Sequence, residues 1–328
     1  MTNLFIYTYM FSEKTVCLII YITLFSSHLL ATQVEKDIPV PDKVGAEIMP
    51  QFIAPFHDVP FNMPKLQYPK FPDYSVNIKD NGATVDKPIT ELVNRLIMET
   101  IRKGGGKVVI PSGKWKSARI ILKSNVNLYL EKGAEIEFSG EPKDYLPSVY
   151  TMHEGRQIMG SGSFIYACNE ENIAITGKGH IYGPSMDSPI RKNSNSIAWI
   201  EKDFPEKTEE RIFDGMEGRH FFAPKVIAPI QCKGVFIEGM TIERCMFWNV
   251  NPILCEDVII RGVTVNSVGI PSGDGVDITC SKNVLVEYCT MNCGDDCYAV
   301  KGGRDEEGAR MGIPTENVII RYCFAKAG

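Results

Sequence analysis

The chain has 328 residues, 44% of them hydrophobic and 23% charged, with 35 Lys and Arg against 40 Asp and Glu and a formal net charge of −5. That length and apolar content can bury a large core, in one elongated domain or in two. A sequence pI near 5.7 without any basic block leaves no electrostatic footprint for a nucleic-acid partner.

At the start, "VCLIIYITLFSSHLLA" (16–31) is an apolar run preceded by Lys14 and followed by polar sequence. Residues 1–31 therefore read as a signal peptide, implying a secreted or periplasmic protein, with an uncleaved anchor or a buried helix as the alternatives. The run is too short and isolated to predict a stable membrane span. Removing it takes Cys17 away and leaves nine of the ten cysteines, an odd number that cannot all pair. Cys289, Cys293 and Cys297 recur every four residues without a matching His or Cys cluster, so no zinc site and no metal is expected. Several cysteines end apolar runs, where the residue behaves as a small buried hydrophobe, and most are expected in the core.

Residues 32–72 are proline-rich with neither helical nor alternating period, and they predict an extended arm laid over something larger. Leu92, Val93, Leu96, Ile97 and Ile101 then recur at helical spacing, and Gly104, Gly105 and Gly106 stop the pattern, predicting one amphipathic helix over 89–103. The glycines with Lys107 do not form a phosphate loop, because the order of residues is wrong and Val follows the lysine. They predict a turn.

After the helix come short strands in series, and one phrase returns: "CKGVFIEGMTIERC", "CEDVIIRGVTVNS", "SKNVLVEYCTMNC" and "TENVIIRYCFAK". Gly234, Asp257, Asn283 and Asn317 fall in register at steps of 23, 26 and 34 residues. Such a unit cannot bury its inward face alone, but stacked on the next coil it can. The prediction is an all-β parallel β-helix over 73–328, with the helix covering its N-terminal end, where unpaired strand edges would otherwise invite aggregation. Leucine-rich repeats have a similar period but need a spaced Leu pattern that these segments lack.

On that scaffold the acids of "GDGVDITCSKNVLVEYCTMNCGDDC" (273–297) acquire positions. Asp274 and Asp277, three apart, point to different sides of a strand or lie across a bend. Asp274 and Asp295 are 21 residues apart, about one coil, which brings Asp274 beside the Asp295–Asp296 pair on a common outer wall. Like charges that close raise at least one pKa and keep a proton at hand. A proton donor beside ionised acceptors is what glycoside hydrolysis requires, with a gap of roughly 6.5–9.5 Å where a water is activated. The plain alternative is that Gly-Asp-Asp is an ordinary turn and Asp274 an ordinary loop acid.

From about Tyr74 to its end the chain resembles the polygalacturonases of glycoside hydrolase family 28. The pieces, in order, are "NGA", "GGGKVVIPSGKW", "LKSNVNLYLEKGAEIEFSGEPKDY", "NIAITGKGHIYG", "FWNVNPILCEDVIIRGVTV", "SGDGVDI", "CGDDCYAVKGG" and "PTENVIIR". The resemblance implies a right-handed parallel β-helix and inverting, cofactor-free hydrolysis of a pectic polysaccharide or oligogalacturonide by a monomer. Asp274 matches the aspartate of the family's N-T-D-G motif, and Asp295 and Asp296 match its paired aspartates. The family's roles make Asp295 the general acid, with Asp274 and Asp296 holding and deprotonating water. Lys301 matches a family lysine near the cleft that can meet a uronate carboxylate, the plain reading being a solvated strand-end lysine. "RDEEGAR" (304–310) reads as a charged loop from which Arg304 or Arg310 touches substrate, and Trp248 as a packing residue rather than a sugar platform.

Ser272 and Gly273 replace the Asn-Thr of N-T-D-G, which leaves substrate choice within the family open. The family's Gly-His-Gly and Arg-x-Lys motifs have no counterpart here, since the last histidine is His220 and the chain stops at "FAKAG". The β-helix is therefore expected to be incomplete at its C-terminal end. Two further readings stand beside the hydrolase: a calcium-dependent pectate lyase, in which Asp274, Asp295 and Asp296 with Lys301 mimic that site, and an inactive pectin-binding fragment.

Overall fold

The computed structural model describes residues 43–192 and 204–328, and the backbone of the strand Ile6–Ser12. That strand runs parallel beside Glu316–Ala327; the rest of the expected signal peptide and residues 32–42 of the arm lie outside the described residues.

Three parallel strips of strand wind up the molecule. The first runs Ser75–Asn77, Gly106–Ile110, Val126–Leu130, Glu171–Gly177, Lys233–Glu238, Glu256–Arg261, Lys282–Glu287 and Glu316–Ala327, each pairing with its equivalent one coil along. The second runs from Gly113–Ser117 through Ala134–Phe138 to Thr290–Asn292 and also reaches Glu316–Ala327. The third joins Ile120–Ile121, Ser163–Cys168 and Lys225–Ile230, then continues through single bridges at Val250 and Ile253 to Val276–Thr279 and Tyr298–Lys301. This is the parallel β-helix that the repeat predicts.

The period-2 pattern explains the core. Val235, Val258, Val284 and Val318 stack one above another, as do Ile237, Ile260, Val286 and Ile320, all buried. Each such side chain contributes about 1.5–3 kcal/mol on burial. The residues of the repeat that fall in register share a backbone need: φ is 68° at Gly234, 57° at Asp257, 56° at Asn283 and 54° at Asn317. Asn and Asp tolerate that left-handed region better than other side chains. They also bond along the stack, Asn283 Nδ2 donating to Asp257 Oδ1 at 2.9 Å and Asn317 Nδ2 to Asn283 Oδ1 at 3.0 Å.

The helix Thr90–Arg102 buries Val93, Leu96 and Ile97 and packs against the first coil. Gly104, Gly105 and Gly106 follow it with φ of 92°, 111° and 144°, the turn that only glycine enters freely.

The outward side of the first strip is also apolar, because residues 43–72 cover it. Ile53, Phe56, Val59, Phe61 and Tyr68 pack on Phe236, Ile259, Leu285 and Ile319. The covering chain is tied by buried charge. Glu287 pairs with Arg261 at 2.6 Å and Arg321 at 2.8 Å, and these arginines donate to the carbonyls of Pro50 (2.9 Å) and Ala54 (2.8 Å).

Two expectations change. The charged stretch 304–310, expected as a loop, forms most of the helix Asp305–Met311: three acids in its first turn and Arg310 in its last complement the helix dipole. The sequence pattern also gives no sign of the hairpin formed by Val149–His153 and Arg156–Gly160, which leaves the coil to cover the third strip.

Candidate active site

Two glycines let adjacent coils approach closely at their turns. A Cβ on Gly275 would lie 2.4 Å from the Cys297 carbonyl, and one on Gly294 would lie 2.3 Å from that of Ile270. With both positions free, Gly275 N donates to Asp296 O at 2.8 Å and Val276 N to Cys297 O at 3.0 Å. Asp274 is thereby seated next to the Asp295–Asp296 turn. One carboxylate oxygen from each of the three lies within 4.8 Å of the others, at a cleft of about 340 Å³.

The trio is not an even ledge. Asp295 and Asp296 are exposed, whereas Asp274 is 2% exposed and forms part of the cleft floor, so the outer-wall expectation holds for the pair and not for Asp274. The physical reason is the bend at Gly275, which turns the Asp274 side chain toward Lys301 on the next coil. Asp277, across that bend, reaches the same ammonium: Lys301 Nζ is 3.1 Å from Asp274 Oδ2 and 2.9 Å from Asp277 Oδ1. Lys301 is therefore no solvated strand-end lysine, and its charge lies 4.1 Å above the Trp248 ring. Trp248 packs as expected, 6% exposed and stacked on Phe247, yet it also lines the cleft.

The electrostatics follow from burial. Burial raises Asp274 above the usual carboxyl range, Lys301 opposes that, and Asp295 adds to it. Asp277, fully buried, is pushed well above that range by burial and then by Asp274. Burial disfavours the Lys301 charge, but Asp277 and Asp274 outweigh it and hold its pKa above the ordinary lysine value.

Arg304 sits at the rim and is engaged by acids, with Nη1 2.7 Å from Glu154 Oε2 and Nε 3.4 Å from Asp305. Glu154 comes from the tip of the hairpin and lines the cleft beside Gly155. It and Asp277 are the residues that sequence reasoning did not place at the site. Asp277 stood in view in "GDGVDI", whereas Glu154, roughly 120 positions upstream of Asp274, had no signal beyond the turn-like "HEGR". The nearest oxygens of the trio, within 4.8 Å of one another, lie closer than the roughly 6.5–9.5 Å gap expected for an intervening water. A larger hollow of about 750 Å³, between the start of the N-terminal helix and Ser185 and Ser188, contains none of the predicted site residues.

A parallel β-helix with an acidic cleft on one lateral wall defines a recognisable class. Within it, this chain belongs to the glycosyl hydrolases family 28, whose model matches residues 107–321. It is 26% identical to a probable polygalacturonase of Vitis vinifera, covering 67% of this chain and 41% of that protein. It is 23% identical to an exo-poly-alpha-D-galacturonosidase of Dickeya chrysanthemi, covering 77% and 46%. The chain thus spans less than half the length of these curated relatives. Among solved structures, a hyperthermoactive exopolygalacturonase of Thermotoga maritima superposes with a TM-score of 0.70 at 31% identity, covering 78% of this chain and 62% of that one. The family 28 exopolygalacturonase of Yersinia enterocolitica, at 22% identity and a TM-score of 0.62 over 76% and 49%, shares the fold.

Proposed function

We propose that this chain carries the acid and base residues of a pectic glycoside hydrolase that cleaves α-galacturonosyl linkages. The observation that supports it most is the convergence of Asp274, Asp295 and Asp296 in one cleft, in a chain of this family. Asp295 gives its proton to the glycosidic oxygen as the bond to the sugar carbon breaks. Asp274 and Asp296 accept hydrogen bonds from a water and take its proton as the water oxygen bonds to that carbon from the opposite face. The new hydroxyl then has inverted configuration, and no covalent intermediate forms. Arg304, held at the rim by Glu154, offers its guanidinium to a uronate carboxylate. The apolar run 16–31, read as part of a signal peptide, favours export to the cell exterior or periplasm, where plant cell-wall pectin is met, and the protein acts as a monomer. Among the described residues no helix is long and apolar enough to cross a membrane.

The test is reducing-end release from polygalacturonate. Asp295→Asn should lower kcat by about 10²–10⁴-fold while oligogalacturonide binding persists, and NMR of the first product should show the inverted anomer. Full activity in that variant removes Asp295 from the role of acid. Activity abolished by a chelator, with products absorbing as unsaturated uronates, would make the protein a lyase. Binding without any release of reducing ends would make it a binding fragment.

A further inference from the structure

Lys301 is placed oddly for a residue that reads substrate charge. Its ammonium faces back into the protein, hydrogen-bonded to Asp274 Oδ2 at 3.1 Å and paired by charge with Asp277 Oδ1 at 2.9 Å. Asp277 is 0% exposed, on the covered side of its strand, and Asp274 is 2% exposed. Asp274 Oδ1 has no hydrogen-bond partner, while Oδ2 is bound by the lysine. Lys301 thus holds one carboxylate oxygen and leaves the other, buried beside the cleft, without a hydrogen-bond partner.

We infer that Lys301 is a positioning residue for Asp274, anchored from beneath by Asp277, and that its ammonium fixes the orientation and charge of the carboxylate that faces the water. The inference rests on the proposed hydrolase reading of the trio. An ammonium 3 Å from a carboxylate favours its ionised form, and a base that takes a proton from water must be ionised at working pH. Burial alone would push Asp274 toward the protonated acid. Lys301 counters that from within the cleft lining.

Of the other groups around Asp274, Asp277 adds a smaller push in the same direction through a side-chain hydrogen bond, and the rest do not supply it. Asp295 and Asp296 are acids, as is Glu154 on the hairpin across the cleft, and Cys245 on the coil below is held as a neutral thiol by burial. Lys225 acts on Asp277 rather than on Asp274. The two carboxyls that share the ammonium also differ: Asp277 lies deeper and its pKa is pushed further up by burial, so a proton shared between them rests there and the negative charge rests on Asp274.

The test separates positioning from substrate reading. Lys301→Met should cut kcat on polygalacturonate about 100-fold or more with KM within threefold, and should move the acid limb of the kcat profile upward by about one pH unit, since Asp274 loses the charge that favours its ionised form. Asp277→Ala should shift kcat and the acid limb in the same directions by a smaller amount. A rise in KM beyond tenfold with kcat preserved in Lys301→Met would overturn the inference in favour of a uronate contact. An Asp277→Ala variant with the parent's kcat and pH profile would overturn the anchoring. Should Lys301→Met fail to fold, Lys301→Arg, which keeps the charge, is measured instead: a pH profile like the parent's with reduced kcat supports positioning, and a change confined to KM refutes it. If the parent protein releases no reducing ends, the hydrolase reading fails by itself. The coupling is then read by carbon-detected NMR titration of the aspartate carboxyls, where an Asp274 pKa equal in parent and Lys301→Met overturns the inference independently.

Discussion

Lys225 shows how far one side chain can be pushed by its surroundings. It is 1% exposed, its Nζ donates to the Met152 carbonyl at 2.5 Å, and the rings of Phe247 and Trp248 lie 5.6 Å away. Burial pulls its pKa from 10.5 down to about 7, against the opposing pull of Asp277 and Glu154. A lysine depressed in the folded state binds its proton more tightly when unfolded, so folding stability rises with pH between about 7 and 10.5, where only the unfolded chain holds that proton. Lys225→Met removes the dependence. The variant should be more stable than the parent by about 1–3 kcal/mol below pH 7, with the difference shrinking as pH approaches 10. Urea denaturation at three pH values between about 7 and 10 measures it, and a difference independent of pH would show that Lys225 keeps an ordinary lysine pKa in the folded protein. None of this was legible in "APKVIAPI", where the lysine reads as the polar start of a strand. Its burial comes from the hairpin carrying Met152 and from Phe247 and Trp248, both distant along the chain. The approach of Asp274 to Asp295 and Asp296 was legible because 21 residues is about one coil. Lys301 could be placed near the cleft but not paired, since its partner Asp277 depends on the bend at Gly275.

At the scale of an element, the repeat was legible because the turn between strips demands a left-handed residue once per coil. Gly, Asp and Asn supply that residue at positions 234, 257, 283 and 317. Asn283 both enters that conformation and bonds its neighbours in the stack, donating to Asp257 and accepting from Asn317. Asn283→Ala should therefore cost about 1–3 kcal/mol, from the steric penalty plus lost hydrogen bonds, and Asn283→Gly distinctly less, since glycine keeps the backbone relaxed. Equal losses in chemical denaturation would mean that the side-chain ladder alone matters. The arm was legible as extended, proline-rich chain, but its anchor was not. Glu287, Arg261 and Arg321 look like ordinary alternating strand charges, and become a buried ion set only when residues 43–72 cover them. Removing one partner of such a set leaves uncompensated buried charge, so Glu287→Ala should cost about 3–5 kcal/mol. It should also free the arm for proteolysis near residues 50–58, and resistance equal to the parent's would show that the apolar contacts suffice.

For the whole molecule, the coil stack supplies a floor for the cleft, and chain that leaves the coils supplies its wall. Glu307, in the helix Asp305–Met311, is where that wall is joined. Its Oε2 is 2.7 Å from Arg211 and 3.8 Å from Arg156, and its Oε1 accepts from Gln157 N at 2.9 Å. Three segments up to 150 positions apart meet on one carboxylate that is 8% exposed. Two magnitudes decide what it does. An exposed helix pair such as Arg95–Glu99 is worth about 0.3–0.5 kcal/mol, so Glu99→Ala should be nearly silent. Glu307→Ala leaves the Arg211 charge buried without its carboxylate and should cost about 3–5 kcal/mol. The hairpin tip carrying Glu154 and Gly155 rests on this joint, with Arg304 N bonded to Gly155 O at 3.1 Å. Loosening it displaces the wall while the trio stays on the coils. Substrate positioning should suffer first, KM rising about tenfold with kcat within a few-fold of the parent. Steady-state kinetics on oligogalacturonides beside a denaturation curve would test both halves together. A fall in kcat equal to that of Asp295→Asn would mean that the wall belongs to the chemistry itself, and unchanged KM with lost stability would reduce Glu307 to a structural joint.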